Sequence, residues 1–123
     1  MYDVLRNKGV IIIQIRNLPK LVKERRRIFP IYFHKEANGD RKIFFYVFDF
    51  FRTRVKFNVI SFLEFNEKPT FEADSVDYRI VSAEKLKELM MRIGYRQLKI
   101  YGDFKFARFS DEDSEDIIAV GTK

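Results

Sequence analysis

The stretch MYDVLRNKGVIIIQIRN, residues 1–17, decides how the rest of the chain is read. Val10 to Ile15 is a run of β-branched residues interrupted only by Gln14, and such a run fits an inner parallel strand, covered on both faces, better than a half-exposed one. Before it, Tyr2 to Asn7 has the character of the last turn of a helix, and Gly9 that of its left-handed cap. The segment therefore predicts a buried strand that needs neighbours on its edges.

Working outward, Asn17 and Pro19 mark a break, with Pro19 in the first turn of a basic helix over Lys20 to Arg27 that stops before Pro30. From Ile31 to Val76 the pattern changes to long, Phe-rich strands. The segment ANGD at 37–40 carries Asn-Gly hairpin chemistry, in which both central residues accept positive φ. A strand over Arg41–Phe51 follows with apolar residues on both faces and Asp49 as the exception. Arg54 to Phe65 alternates cleanly, with Val55, Phe57, Val59, Leu63 and Phe65 on one face and Arg54, Lys56, Asn58 and Glu64 on the other. A turn at Asn66–Pro69 and a strand over Thr70–Val76 complete an antiparallel meander of three or four strands. Ser82 then caps a helix whose apolar residues Leu86, Leu89, Met90 and Ile93 recur at helical spacing, and Gly94 ends it. Gln97–Tyr101 reads as a strand, Gly102–Glu115 as a loop and Asp116–Thr122 as a last strand.

With 123 residues, the chain has room for one domain or part of one, and 46% hydrophobic with 16% aromatic residues predicts a folded core. The absence of cysteine excludes disulfides and thiolate chemistry, and the lone His34 excludes a histidine metal site, so a cytoplasmic, metal-free protein is expected. The apolar run Val10–Ile13 is too short for a signal peptide or a membrane span. The net charge of +6 raises the question of nucleic acid.

Each candidate residue has a functional and a structural reading. Arg25, Arg26 and Arg27, within KLVKERRR at 20–27, form a nucleic-acid patch or a solvated helix face. Asp49, a carboxylate within an aromatic strand, is a general base if burial raises its pKa, or an Arg-paired surface group. Arg16 and Asn17 lie just past the C-terminal end of the first strand, the edge at which open α/β sheets place ligands, and Arg16 there either clamps a carboxylate or bridges within the fold. Tyr101 and Asp103 follow another strand end, as part of a functional corner or an ordinary turn. The acidic run from Asp111 to Asp116 lacks the glycine and ligand order of a calcium loop and reads as solvated. Neither GxGxxG nor GxxxxGK[ST] occurs.

Taken together, LRNKGVIIIQIRN, YRIVSAEKLKELMMRIGYRQLKIYGDF and EDIIAVGTK resemble, in that order, the fifth strand, the last helix with the sixth strand, and the seventh strand of a class I S-adenosylmethionine-dependent methyltransferase. The resemblance implies an α/β fold, α+β for the isolated fragment: a partial methyltransferase sheet whose seventh strand is antiparallel to the rest, with an inserted antiparallel meander over the substrate. It divides one half domain into residues 1–17, 18–80 and 81–123. It is nearest the glycine and sarcosine N-methyltransferase type, through Arg16-Asn17 and Gly102-Asp103-Phe104-Lys105, with Leu18 where that type has a tyrosine. The implied substrate-binding residues are Arg16, which grips a carboxylate, with Asn17, Tyr101 and Asp103. The family's cofactor site belongs to an N-terminal half not represented in these residues. S-adenosylmethionine is therefore expected only with a companion chain, and the other readings are a homodimer or protein-interaction module and an RNA-binding module.

Overall fold

Ile117, Ile118 and Ala119 are the most deeply buried run of the chain, none more than 2% exposed. They lie in the middle strand of a three-stranded sheet in a computed structural model that describes residues 1–29 and 31–123. After a short 3-10 turn over Tyr2–Val4, the elements are β1 (Val10–Arg16), α1 (Leu18–Glu24), β2 (Tyr32–Lys35), β3 (Arg41–Phe50), β4 (Arg54–Phe65), β5 (Lys68–Arg79), α2 (Ala83–Ile93), β6 (Arg96–Tyr101) and β7 (Asp116–Thr122). They divide into two units: Met1–Lys23 with Val81–Lys123, and Glu24–Ile80.

In the first unit the sheet order is β1-β7-β6, and β7 runs antiparallel to both neighbours, so β1 and β6 are parallel to each other. Alternation along the strands sends Ile11, Ile13, Ile15, Ile117 and Ala119 to one face, where they meet Ala83, Leu86 and Met90 of α2. Ser82 accepts a hydrogen bond from the Lys85 amide at 3.1 Å, and Gly94, at φ 115°, closes the helix with its N–H directed at the carbonyls of Met90 and Met91. Of the predicted apolar stripe, Leu86 and Met90 are buried, while Leu89 and Ile93 are exposed.

The opening strand departs from expectation in two ways. Its only strand partner among the described residues is the antiparallel β7, and its second face is uncovered, with Val10 and Ile12 each 56% exposed. A β-branched run therefore reports strand propensity here rather than two-sided burial. Nor do residues 2–7 end an α-helix, and the left-handed residue is Lys8, at φ 65°, instead of Gly9. Glycine is needed at position 9 for a different reason: a Cβ there would lie 2.8 Å from the Arg6 carbonyl oxygen.

The second unit is the four-stranded meander β2-β3-β4-β5. Its first hairpin is looser than Asn-Gly chemistry suggested. Only Gly39 has positive φ, and the loop closes through the Gly39 amide to the Glu36 carbonyl (3.1 Å) and the Glu36 amide to the Asp40 carbonyl (2.8 Å). The two-residue turn with both central φ positive sits instead at Asn66 and Glu67 (48° and 63°). β5 consequently starts at Lys68 and extends to Arg79, well beyond the predicted Thr70–Val76. Pro69 is accommodated within it because β5 is an edge strand. On one face Tyr32, Phe44, Tyr46, Phe48, Phe57 and Tyr78 form a continuous run of ring contacts with centroids 5.0–6.0 Å apart, and on the other Phe45, Phe62 and Phe71 do the same at 5.3 and 6.3 Å.

Met90 is 1% exposed at the centre of the α2–sheet contact. Truncation to alanine removes most of that packing, so Met90→Ala is expected to lower unfolding free energy by about 2–5 kcal/mol in urea denaturation.

Candidate functional site

β1 and β6, being parallel, deliver their C-terminal ends to the same edge of the sheet, where β7 begins. Arg16 and Asn17 leave β1 there, Tyr101 and Asp103 leave β6, and the loop 102–115 closes the corner. Arg16, Asn17, Tyr101 and Asp103 thus lie along one edge of the sheet, with β7 between the two pairs.

Asn17 is the anchor of this corner. It is 2% exposed, its Nδ2 donates to the carbonyls of Ser114 (2.8 Å) and Asp111 (3.1 Å), and its backbone N–H donates to the Glu115 carbonyl (2.9 Å). Both amide hydrogens are committed to the loop, so Asn17 orders the corner and leaves ligand contact to its neighbours. The loop is tied down further by Lys20, whose Nζ donates to the Asp113 carbonyl (3.0 Å) and to Glu115 Oε1 (2.7 Å), and by Lys23 on Glu112 (2.6 Å). The acidic run is solvated as expected, with Asp111, Glu112, Asp113 and Glu115 exposed, and it also forms ion pairs with the lysines of the basic helix. Sequence reasoning missed Lys20, Ser114 and Glu115 here; the only signal was the opposite charge of two runs some ninety residues apart.

Arg16 is the last residue of β1, within the strand instead of just past it, with 54% of its side chain exposed and its guanidinium 3.5 Å from Asp116. This separation is longer than a charge-assisted hydrogen bond, and it leaves donor groups facing solvent. Tyr101 stands edge-on to Phe106 at 5.1 Å. Asp103 folds its own turn, accepting from the amides of Lys105 (2.8 Å) and Ala107 (3.1 Å), which supports Phe106 at φ 62°.

Asp49 belongs to the second unit, on β3. Its carboxylate accepts from Arg27 at 2.6 Å and from Asn58 Nδ2 at 3.0 Å. These bonds, with the Arg27 guanidinium foremost, hold its pKa below the ordinary carboxylate value, the reverse of the rise that a buried general base requires. Arg25 to Arg27 also differ from expectation: α1 ends at Glu24, Arg25 turns left-handed at φ 51°, and the three arginines lie beyond the helix. Arg27 is committed to Asp49, and Arg26 lies over the Phe29 ring at 4.5 Å. The helix boundary drawn at Pro30 lies outside the described residues. His34 is exposed, 3.1 Å from Glu36. Among the described residues no group of acidic, His or Cys side chains is arranged to hold a metal ion, and no helix is long and apolar enough to cross a membrane.

Two outcomes follow from this geometry. Asn17→Ala strips the loop of two part-buried side-chain hydrogen bonds, so stability is expected to fall by about 1–3 kcal/mol, with faster amide hydrogen exchange at Ser114. Asp49 has a lower pKa folded than unfolded, so its contribution is present above the unfolded value near 3.8 and is lost as pH falls through the folded one. The acid limb of a stability–pH profile is accordingly expected to flatten in Arg27→Gln.

No family model matches the chain, and no curated protein matches it in sequence. Solved structures do. The chain aligns over 98% of its length with an S-adenosylmethionine-dependent methyltransferase from Clostridium acetobutylicum ATCC 824, at a TM-score of 0.71 and 15% identity, covering 46% of that chain. It aligns over 97% of its length with the CcbJ methyltransferase from Streptomyces caelestis, at a TM-score of 0.64 and 15% identity, covering 48% of that chain. The chain spans about half the length of the solved structures it matches. It has a mixed α/β fold similar to part of a methyltransferase, with two antiparallel sheets and two helices.

Proposed function

We propose that this chain is the substrate-lid and C-terminal half of an S-adenosylmethionine-dependent methyltransferase, of the glycine and sarcosine N-methyltransferase type. The observation that carries the reading is topological. A strand that is antiparallel to both neighbours sits between two parallel ones, and a four-stranded antiparallel meander is inserted between the first strand and the last helix. The resemblance to strands five, seven and six with a substrate lid anticipates this arrangement, and the two solved methyltransferases share the fold over nearly all of this chain.

β1 runs directly into the buried Asn17 and a seven-residue helix, with no glycine-rich turn to admit a nucleoside sulfonium. We take the cofactor-binding elements to be supplied by a companion half, as the resemblance implies. In this reading the present chain contributes acceptor binding and positioning. Arg16 exchanges its long contact with Asp116 for the carboxylate of the acceptor, Asn17 fixes the backbone from which Arg16 projects, and Tyr101 and Asp103 shape the adjoining wall. Asp49 holds Arg27 in place and takes no proton.

A second reading, a non-enzymatic homodimer, is favoured by the unpaired edge of β1 and the exposure of Ile12 beside it. One set of measurements on the 123-residue chain separates the two. The methyltransferase reading expects no heat of S-adenosylmethionine binding from the chain alone and binding once a companion half is added, whereas micromolar affinity of the isolated chain overturns it. A monomeric mass by light scattering at tens of micromolar removes the homodimer.

A further inference from the structure

We propose that the first unit carries a second binding site, for a small molecule bearing a phosphate or paired carboxylates on an apolar body. It lies at the edge of the sheet where β1 and β6 begin, the opposite edge from Arg16 and Tyr101. With β1 seven residues long, the two edges are about 20 Å apart.

The cavity there has a volume of about 730 Å³, within the range of small-molecule sites. Its wall includes Lys87 of α2, Arg96 at the start of β6 and Lys123 just past β7, and no carboxylate side chain lines it. Lys87 and Arg96 have no ion-pair or side-chain hydrogen-bond partner among the described residues, whereas Lys85 and Arg92 on the same helical segment both pair with Glu88. Lys123 is held by the carbonyls of Tyr2 (2.9 Å) and Leu5 (3.0 Å) and stands 4.5 Å from the Tyr2 ring centroid, so its charge also meets no carboxylate side chain. Lys87 and Arg96 are thus two cations on one concavity without a carboxylate partner, and an oxyanion bound there accepts their N–H groups.

Two further features belong to the same wall. Gln97 holds a left-handed backbone, φ 51°, in an irregularity of the β6–β7 pairing between Arg96 and Lys99; a non-glycine residue in that conformation is strained, and such strain gathers at ligand sites. Tyr95 is 4% exposed, and its buried hydroxyl has no hydrogen-bond partner among the described residues. Met91 and Leu98 supply the apolar surface that an organic body covers.

The test is a titration of the 123-residue chain with phenyl phosphate, isophthalate and phenol, followed by amide chemical shifts. Saturable shifts at Lys87, Arg96 and Gln97, with a dissociation constant below about 1 mM for either anion and none for phenol, support the site, and the stronger anion identifies phosphate or carboxylate as the headgroup. Lys87→Gln with Arg96→Gln should weaken binding about tenfold or more, since each removes a charge-assisted bond, and Arg96→Lys should retain most of it. Lys87→Gln alone gives the same direction if the double variant fails to fold. Equal binding of phenol, unchanged affinity in the folded neutral variants, or no saturation at about 10 mM anion overturns the proposal.

Discussion

β7 is the constraint on which the first unit depends. It supplies hydrogen bonds to both β1 and β6, and its centre is the most buried backbone in the chain. Neither neighbour pairs with the other, so without β7 there is no sheet, no face for Met90 and Leu86, and no common edge to assemble Arg16, Asn17, Tyr101 and Asp103. The burial of Ile117 and Ile118 on opposite faces sets this strand apart from β1, which has a similar composition and one open face.

The corner beyond that edge illustrates how a loop becomes part of a rigid site. One buried amide, on Asn17, satisfies two carbonyls of the acidic loop, and two lysines from α1 hold its carboxylates. The exposed pair Lys23–Glu112 contributes little energy alone, while Lys20, whose side chain is only 10% exposed, works in a drier environment and anchors more firmly. The result is an Arg16 whose stem is fixed and whose head group remains available.

Local signals in the sequence carried well where the physics is local. Ser82 and Gly94 bound α2 because an N-cap oxygen and a left-handed C-cap are needed at fixed positions, whereas burial along β4 does not follow its sequence alternation, with Phe65 exposed. They failed where the deciding partner is distant. Ile12 looks like Ile11 in sequence, and only the placement of α2 exposes one and buries the other. For Asp49 the sequence leaves a buried general base and an Arg-paired surface group both open, and the distant Arg27, with Asn58, decides for the pair. Gly9 has the sequence character of a left-handed cap, yet Lys8 takes that backbone and the close approach to the Arg6 carbonyl is what demands glycine.

The pairing of Val10 with Thr122 also governs the order of assembly. The meander joins strands that are neighbours in sequence, so its loops close early and at small entropic cost, whereas β1 waits for a partner about a hundred residues downstream.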